Sequence, residues 1–338
     1  MKKYTFIGTG VANVFCVIEM LNNGISGKDI VMIDSGKSPH ERQREEIMNG
    51  FLGAGAYSDF KIIYSLIRGG DLVKYTGIDK ANDLINRIKT IVKDFHPNPE
   101  KIVQSGKEKI PKKLKKSIEE YFEILQSESN HIGTDYALEI GKNMYGFLQL
   151  KGVTIFFEEE VLDINFNKKE IVTTNIIEMK YDNLIIGVGR SGMNLINTLS
   201  KKYNLKTESA DLQIGVRFES QAKYFEDLSK VFYDFKLQRS MNGMNIRTFC
   251  VNSGAAYVAK EEVNGLISYN GHAYRNEESN GKINFGIMME VPFDGDCLKR
   301  AEDLVKRCNN NDVDSIFTNV YKYIEYFQTL CLFKVLPF

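Results

Sequence analysis

The 338-residue chain has no tryptophan, only six prolines and four histidines, and no excess charge of either sign: 44 basic and 44 acidic residues cancel to a net +0 at pH 7. Without a basic surplus, a general nucleic-acid binder or a polybasic membrane-surface protein is not expected. No stretch approaches the roughly 18 consecutive apolar residues of a membrane span. The amino terminus, Met-Lys-Lys before a glycine-bearing strand, has neither the apolar core nor the small-residue cleavage site of a secretory signal, so a cytoplasmic setting is expected. The five cysteines (Cys16, Cys250, Cys297, Cys308 and Cys331) form no CxxC pair, and His40, His96, His131 and His272 fall at no metal-ligand spacing. Reduced thiols and no metal site follow.

What the chain does have is a hydrophobic fraction of 43%, enough to form a sizeable core. Its length suits about two domains. Residues 4–8 read as a short buried strand, and 12–22 as a helix with Val14, Ile18 and Leu21 on one side. DIVMID, 29–34, reads as a second strand, apolar on both faces and ending on an acid. This is a βαβ unit of the kind that opens a doubly wound sheet. Its turn, Gly8-Thr9-Gly10-Val11-Ala12-Asn13, is a dinucleotide fingerprint with Asn13 in place of the third glycine. Gly8 permits the tight turn and Gly10 the approach of a pyrophosphate to the helix N-terminus. Asn13 falls where a glycine serves close helix–strand packing, so the helix is expected to move outward or repack, at about 1–3 kcal/mol. Asp34 follows at the spacing of an acid that accepts from a ribose 2′-hydroxyl and disfavours a 2′-phosphate.

Residues 35–59 carry charge (HERQREE) and then a second glycine cluster, NGFLGAGAYSDF. Residues 60–130 look mainly helical, including 83–95 and a basic run, 107–116, that reads as a solvated face. A helix over 131–152 is expected to start at an N-cap Thr134 and close at Gly152. Residues 153–166 read as a strand with a charged break, pairing as a hairpin with 170–181. Residues 181–199 repeat buried strand, glycines and helix. Beyond about 205 the chain becomes β-rich with glycine and asparagine turns, and 296–330 reads as an amphipathic helix.

The segments FIGTGVAN, VMIDSGKSPHER, GAGAYSDFKI, HIGTDYALEIGKNM, LIIGVGRSG, IGVRFE, RTFCVNSGAAYV and NGHAYRNEESN, from residue 4 to about 290, occur in the order of motifs in another group of proteins. The chain resembles the FAD-dependent dehydrogenase family often called NAD(FAD)-utilising dehydrogenases. GAGAYSDFK and HIGTD are more specific to the likeness than the glycine turn. The resemblance implies an α/β fold: a Rossmann-like, glutathione-reductase-type FAD/NAD(P)-binding three-layer domain over 1–65 and 120–204. It also implies a helical excursion over 66–119 and an inserted β-rich α+β substrate domain over 205–338. It implies a flavoprotein oxidoreductase carrying hydride or electrons between FAD and a small organic substrate, with NAD(P)H a possible donor.

The same resemblance assigns Gly8, Gly10 and Asn13, with Val11 and Ala12 between them, to the pyrophosphate turn. It assigns Asp34, followed by Ser35, to the adenosine ribose and Arg42 to the phosphate side. Gly53, Ala54, Gly55 and Ser58 fall along pyrophosphate and flavin. The backbone of Val161 falls against adenine, and Gly187, Gly189 and Arg190 fall near the cofactor. Leu52 and Phe60 replace glycines of the second cluster and are expected to crowd that backbone. The family continues past the position of Phe338 into a segment that closes over the flavin. A truncated, catalytically inactive nucleotide-binding or interaction protein is therefore the alternative expectation. Weak catalytic candidates are Cys250 (with a buried structural thiol as the plainer reading), His272 and Arg217, the latter two for an anionic substrate. His131 is expected to start a helix or hydrogen-bond a loop.

Overall fold

The structure is a computed structural model that describes residues 2–43, 46–66, 71–175, 178–206, 212–241, 243–263, 266–291 and residues 299, 300, 303 and 306. The expected helix over 296–330 lies essentially outside the described residues, as do Cys297, Cys308 and Cys331.

In chain order the elements are β1 (Lys2–Ile7), α1 (Val11–Asn22), β2 (Ile30–Ile33), β3 (Lys61–Ile63), α2 (Leu72–Thr76), α3 (Ile78–Phe95) and β4 (Val103–Ser105). Next come α4 (Lys112–Glu119), β5 (Glu123–Ile124), β6 (Ser129–His131), α5 (Thr134–Leu150), β7 (Thr154–Phe156), β8 (Val161–Asn165), β9 (Glu170–Thr173), β10 (Met179–Ile186) and α6 (Met193–Tyr203). The chain closes with β11 (Leu212–Gln221), α7 (Glu226–Ser229), β12 (Leu237–Met241), β13 (Met244–Val263), β14 (Leu266–Tyr274) and β15 (Lys282–Val291). The fold is α/β, with a Rossmann-like parallel sheet and a β-rich part. The chain divides into two compact units. The first holds residues 1–104, 128–207 and 273–277, and the second 105–127, 208–272 and 278–338.

The first unit is built on a six-stranded sheet in the order β7-β2-β1-β10-β9-β8. β7, β2, β1 and β10 run parallel. β9 and β8 add an antiparallel edge. All four residues of β2 are buried, as an apolar run covered on both faces requires. Helix α1 turns Val14, Val17 and Ile18 inward against Phe6, Ile30 and Met32. Helix α5 adds Ala137, Ile140, Met144 and Leu148 to the same core. Its N-cap is Gly133, at φ +97°, and Thr134 is the first helical residue. The Thr134 hydroxyl instead accepts from the Ala273 N–H at 3.3 Å. β10 is only partly buried rather than fully so.

The second unit is an antiparallel sheet ordered β11-β15-β13-β12-β5, with β14 paired to β13. One face carries Phe218, Val251, Ile283 and Phe285, packed with Phe225, Phe232 and Phe235 in an aromatic core. Helix α4 joins that core through buried Ile118, while Lys112, Lys113, Lys115 and Lys116 are exposed. This is the solvated basic face expected.

Candidate functional site

The sequence candidates in the first unit converge where β1, β2 and β10 end. The Gly8 N–H donates to the Ile33 carbonyl at 2.7 Å, and the Gly187 N–H to Ile7 at 2.9 Å. The chain leaves β1 for β2 on one side, and β10 returns on the other. That is a topological switch point, where open α/β sheets bind ligands beyond their strand ends.

The glycines here are not equivalent. A Cβ on Gly8, at φ +90°, would sit 2.4 Å from the Gly187 carbonyl oxygen, so the fold itself demands glycine. Gly10 has ordinary extended geometry (φ −63°, ψ 168°) and caps α1 without a side chain. A Cβ there would meet only the Gly187 oxygen, 3.9 Å away. The bare backbone at Gly10 leaves the first-turn N–H groups of α1, which have no intrahelical acceptors, open to an incoming anion.

The second glycine cluster closes on the first. The Leu52 N–H donates to Thr9 at 2.8 Å, and Leu52 forms a parallel bridge with Gly10. A Cβ on Gly53 would meet only the Gly10 Cα, at 3.8 Å. Two glycines, Gly10 and Gly53, therefore lie side by side. Leu52 and Phe60 sit at φ 63° and 44°, in the left-handed region that favours glycine, at roughly 1–2 kcal/mol each. Their side chains are buried in the core: Leu52 reaches Gly141 of α5, while the Phe60 ring packs against Gly55, so crowding of the second cluster is relieved at Leu52 and kept at Phe60.

Asn13 packs inward at the start of α1. Its side chain is buried and donates to the carbonyls of Ile7 at 2.9 Å and Gly8 at 2.8 Å. The room comes from across the sheet, because a Cβ on Gly187 would lie 2.6 Å from the Asn13 Oδ1. Of the two outcomes expected from the sequence, an outward shift or repacking, the contact with Gly187 is the repacking.

Asp34 and Arg42 are both turned into the protein. Asp34 Oδ2 accepts from the Thr9 N–H at 2.6 Å and the Thr9 hydroxyl at 2.7 Å. Its Oδ1 accepts from the N–H groups of Gly36 at 2.8 Å and Gly50 at 3.0 Å. The buried Arg42 donates Nε to Glu46 O, Nη1 to Phe51 O and Gly53 O, and Nη2 to Ile47 O. Its guanidinium lies 4.3 Å over the Tyr57 ring, whose hydroxyl donates to the Arg42 carbonyl. Burial pulls its pKa down to about 10. The guanidinium thus moulds the second glycine loop and holds no free fork toward a phosphate.

Val11 is half-buried, Ala12 and Ser35 are exposed, and Ala54 and Gly55 line the second loop. Ser58 accepts from the Phe60 N–H. Val161 is buried at the head of β8, opposite Thr173. Gly189, at φ 59°, and exposed Arg190 precede α6. Sequence reasoning missed Thr9, Gly36 and Gly50. His131, expected to start a helix or hydrogen-bond a loop, does the latter, its Nδ1 lying 2.5 Å from Asp59, while the buried contact of Asp59 with Arg275 at 3.0 Å was missed. No spacing signals these, since partners such as Thr9–Asp34 and Asp59–Arg275 are joined only by folding. Among the described residues no group of His, Cys, Asp or Glu could hold a metal.

Cys250, Arg217 and His272 belong to the second unit. Cys250 is exposed and sits at φ 26° in a bulge between Phe249 and Asn252, so the buried thiol expected is corrected. Arg217 Nη1 donates to the Cys250 carbonyl at 2.8 Å and Nη2 to Asn270 at 3.2 Å. His272 is buried.

No family model matches the chain. No curated protein matches it either. Solved structures resemble it distantly. A glycine oxidase from Bacillus cereus ATCC 14579 is 10% identical with a TM-score of 0.43, over 87% of this chain and 73% of that one. An L-amino acid deaminase from Proteus vulgaris, lacking its specific insertion, is 10% identical with a TM-score of 0.38, over 84% and 68%. A flavoprotein/dehydrogenase from Cytophaga hutchinsonii is 12% identical with a TM-score of 0.37, over 87% and 58%. Among the described residues no helix is long and apolar enough to cross a membrane.

Proposed function

We propose that this chain binds FAD at the junction of its two glycine loops and serves as an FAD-dependent oxidoreductase of the NAD(FAD)-utilising dehydrogenase type. The observation that carries the reading is the bare backbone of Gly10 with Gly53 beside it. The Cβ position of Gly10 is open although its backbone is ordinary extended geometry, Gly53 at φ +54° lies beside it, and both flank a helix N-terminus with no side-chain cap at a strand switch point. The residues present fit a dinucleotide: amide donors and a helix dipole for the pyrophosphate, with Arg42 and Asp34 shaping the loops that present them. Bound there, FAD supplies the hydride- or electron-carrying chemistry.

This chain's own part is to bind and orient. The first turn of α1 and the Gly53 loop take the pyrophosphate. Val161 and the Gly189–Arg190 turn are the candidate flanking contacts. Arg217 and His272 are candidates for orienting an anionic substrate, and NAD(P)H is the candidate donor.

Gly10→Ala tests the reading because its new methyl meets only one atom of the protein, at 3.9 Å. Its melting temperature is expected to stay close to the parent's, since an N-cap Gly→Ala exchange costs a few tenths of a kcal/mol to about 1. FAD affinity, measured by flavin fluorescence quenching, is expected to fall at least about tenfold, or ~1.4 kcal/mol. Unchanged affinity in a folded variant contradicts the site.

A further inference from the structure

We propose that Asp34 is a positioning residue that locks the two glycine loops together, and that the site leaves the nucleotide's ribose 2′-hydroxyl unread. The inference rests on the nucleotide reading above. A carboxylate offers about four lone-pair positions. Here all four are taken by the protein: Thr9 N–H and Thr9 hydroxyl on Oδ2, Gly36 N–H and Gly50 N–H on Oδ1. An acid that reads a ribose needs an open lone-pair position for its hydroxyls. Asp34 is also only 8% exposed. Swinging it toward a ligand would strand the buried N–H groups of Gly36 and Gly50 together with both donors of Thr9, which is strongly disfavoured.

The local sequence explains the retreat. An aspartate is one methylene shorter than a glutamate, and Thr9, between Gly8 and Gly10, supplies a hydroxyl and an amide to the same oxygen. The Gly36 bond is an Asx-type turn that bends the chain directly after β2. The Gly50 bond then ties the approach to the second glycine cluster to the end of that strand. One carboxylate therefore fixes the spacing between the Gly10 and Gly53 backbones, and recognition passes to the pyrophosphate they cradle.

The test compares ligands on the full, nucleotide-free chain by calorimetry, with ADP and 2′-deoxy-ADP as probes. A site built to hydrogen-bond a hydroxyl rejects the analogue lacking it by orders of magnitude. Here the two are expected to bind within about twofold of each other, and a preference for ADP above about tenfold overturns the proposal. Thr9→Val is expected to lower the melting temperature of the nucleotide-free protein by at least about 4 °C, with Thr9→Ser restoring most of it. The ADP to 2′-deoxy-ADP ratio is expected to stay near one in both variants. An unchanged melting temperature in Thr9→Val overturns the lock. Failure of ADP to bind the folded parent overturns the nucleotide reading and this proposal with it. ADP binding with strong 2′ discrimination overturns this proposal alone.

Discussion

Asn13 and Gly187 form a pair in which each accounts for the other. The asparagine amide fills the space a Cβ on Gly187 would need and clips two carbonyls at the end of β1. Asn13→Gly is expected to cost about 2–3 kcal/mol, from two lost hydrogen bonds at ~1 kcal/mol each and a glycine inside a helix. Gly187→Ala is expected to cost at least about 2 kcal/mol through overpacking. The double variant is expected to lose less than the sum by at least about 1 kcal/mol, because the methyl then has a place to go. Denaturant unfolding of the four proteins measures the coupling, and strict additivity contradicts the pairing. The sequence displayed Asn13 as an exception but held no sign of its partner, which lies far along the chain.

A second residue-scale effect concerns pH. The buried His96 ring accepts from the Asn98 N–H at 2.9 Å through Nδ1 and lies 4.6 Å from the Tyr136 ring. Burial lowers its pKa below the ordinary value. The folded protein therefore resists a proton that the unfolded chain takes up near pH 6.5. Stability is unaffected above that value and falls as pH drops through and below it. Melting temperatures at about pH 7.5 and about pH 5.5 are expected to differ by less in His96→Gln than in the parent. An equal difference contradicts the assignment.

At the scale of elements, the loop after β2 owes its shape to one buried cation. Arg42 gathers four carbonyls from Glu46 to Gly53 that no regular hydrogen-bond ladder serves. A lysine ammonium cannot reproduce that planar fork. Arg42→Lys is expected to cost about 3 kcal/mol and to weaken nucleotide binding as the Gly53 backbone loosens. Chemical denaturation alongside an ADP titration reads both effects, and a variant with parent-like stability contradicts the role.

The elements were legible in part: β3, β4, β5 and β6 fall in or at the end of 60–130, read as mainly helical, and 153–166, read as one strand, splits into β7 beside β2 and β8 in the hairpin. The βαβ opening, the β8–β9 hairpin and the strand–glycine–helix of β10 and α6 were readable because their signals are local: periodicity, glycines and terminal acids. The charges of Asp34 and Arg42 were legible as important, but their direction was not. A spacing that suits ribose or phosphate contact is equally satisfied when the side chain turns back onto its own loop, and only folded geometry separates the two. Leu52 and Phe60 follow the same logic, since sequence shows a bulky residue in a glycine cluster but not the core that takes up the side chain.

For the whole molecule, the α/β class and the change to antiparallel β structure after about residue 205 were visible in the shift from apolar runs to alternating strands with glycine and asparagine turns. The grouping of residues 105–127 with the β-rich unit was not. Its basis is the pairing of Glu123 and Ile124 in β5 with Gln238 and Leu237 in β12, and the burial of Ile118 among phenylalanines. Contacts across more than a hundred positions leave no local period. Residues 273–277 likewise group with the first unit, where Arg275 meets Asp59 and the Arg275 and Asn276 N–H groups reach Asp135.

The central claim is that two bare glycine backbones and the α1 N-terminus form a dinucleotide site. The most direct test is titration of the purified full chain with FAD by equilibrium dialysis, with ADP as competitor and Gly10→Ala as control. The account predicts stoichiometric FAD uptake, displacement by ADP, and loss of both in the control while its fold is retained. A folded protein that takes up neither FAD nor ADP, or a Gly10→Ala variant that binds them as well as the parent, contradicts it.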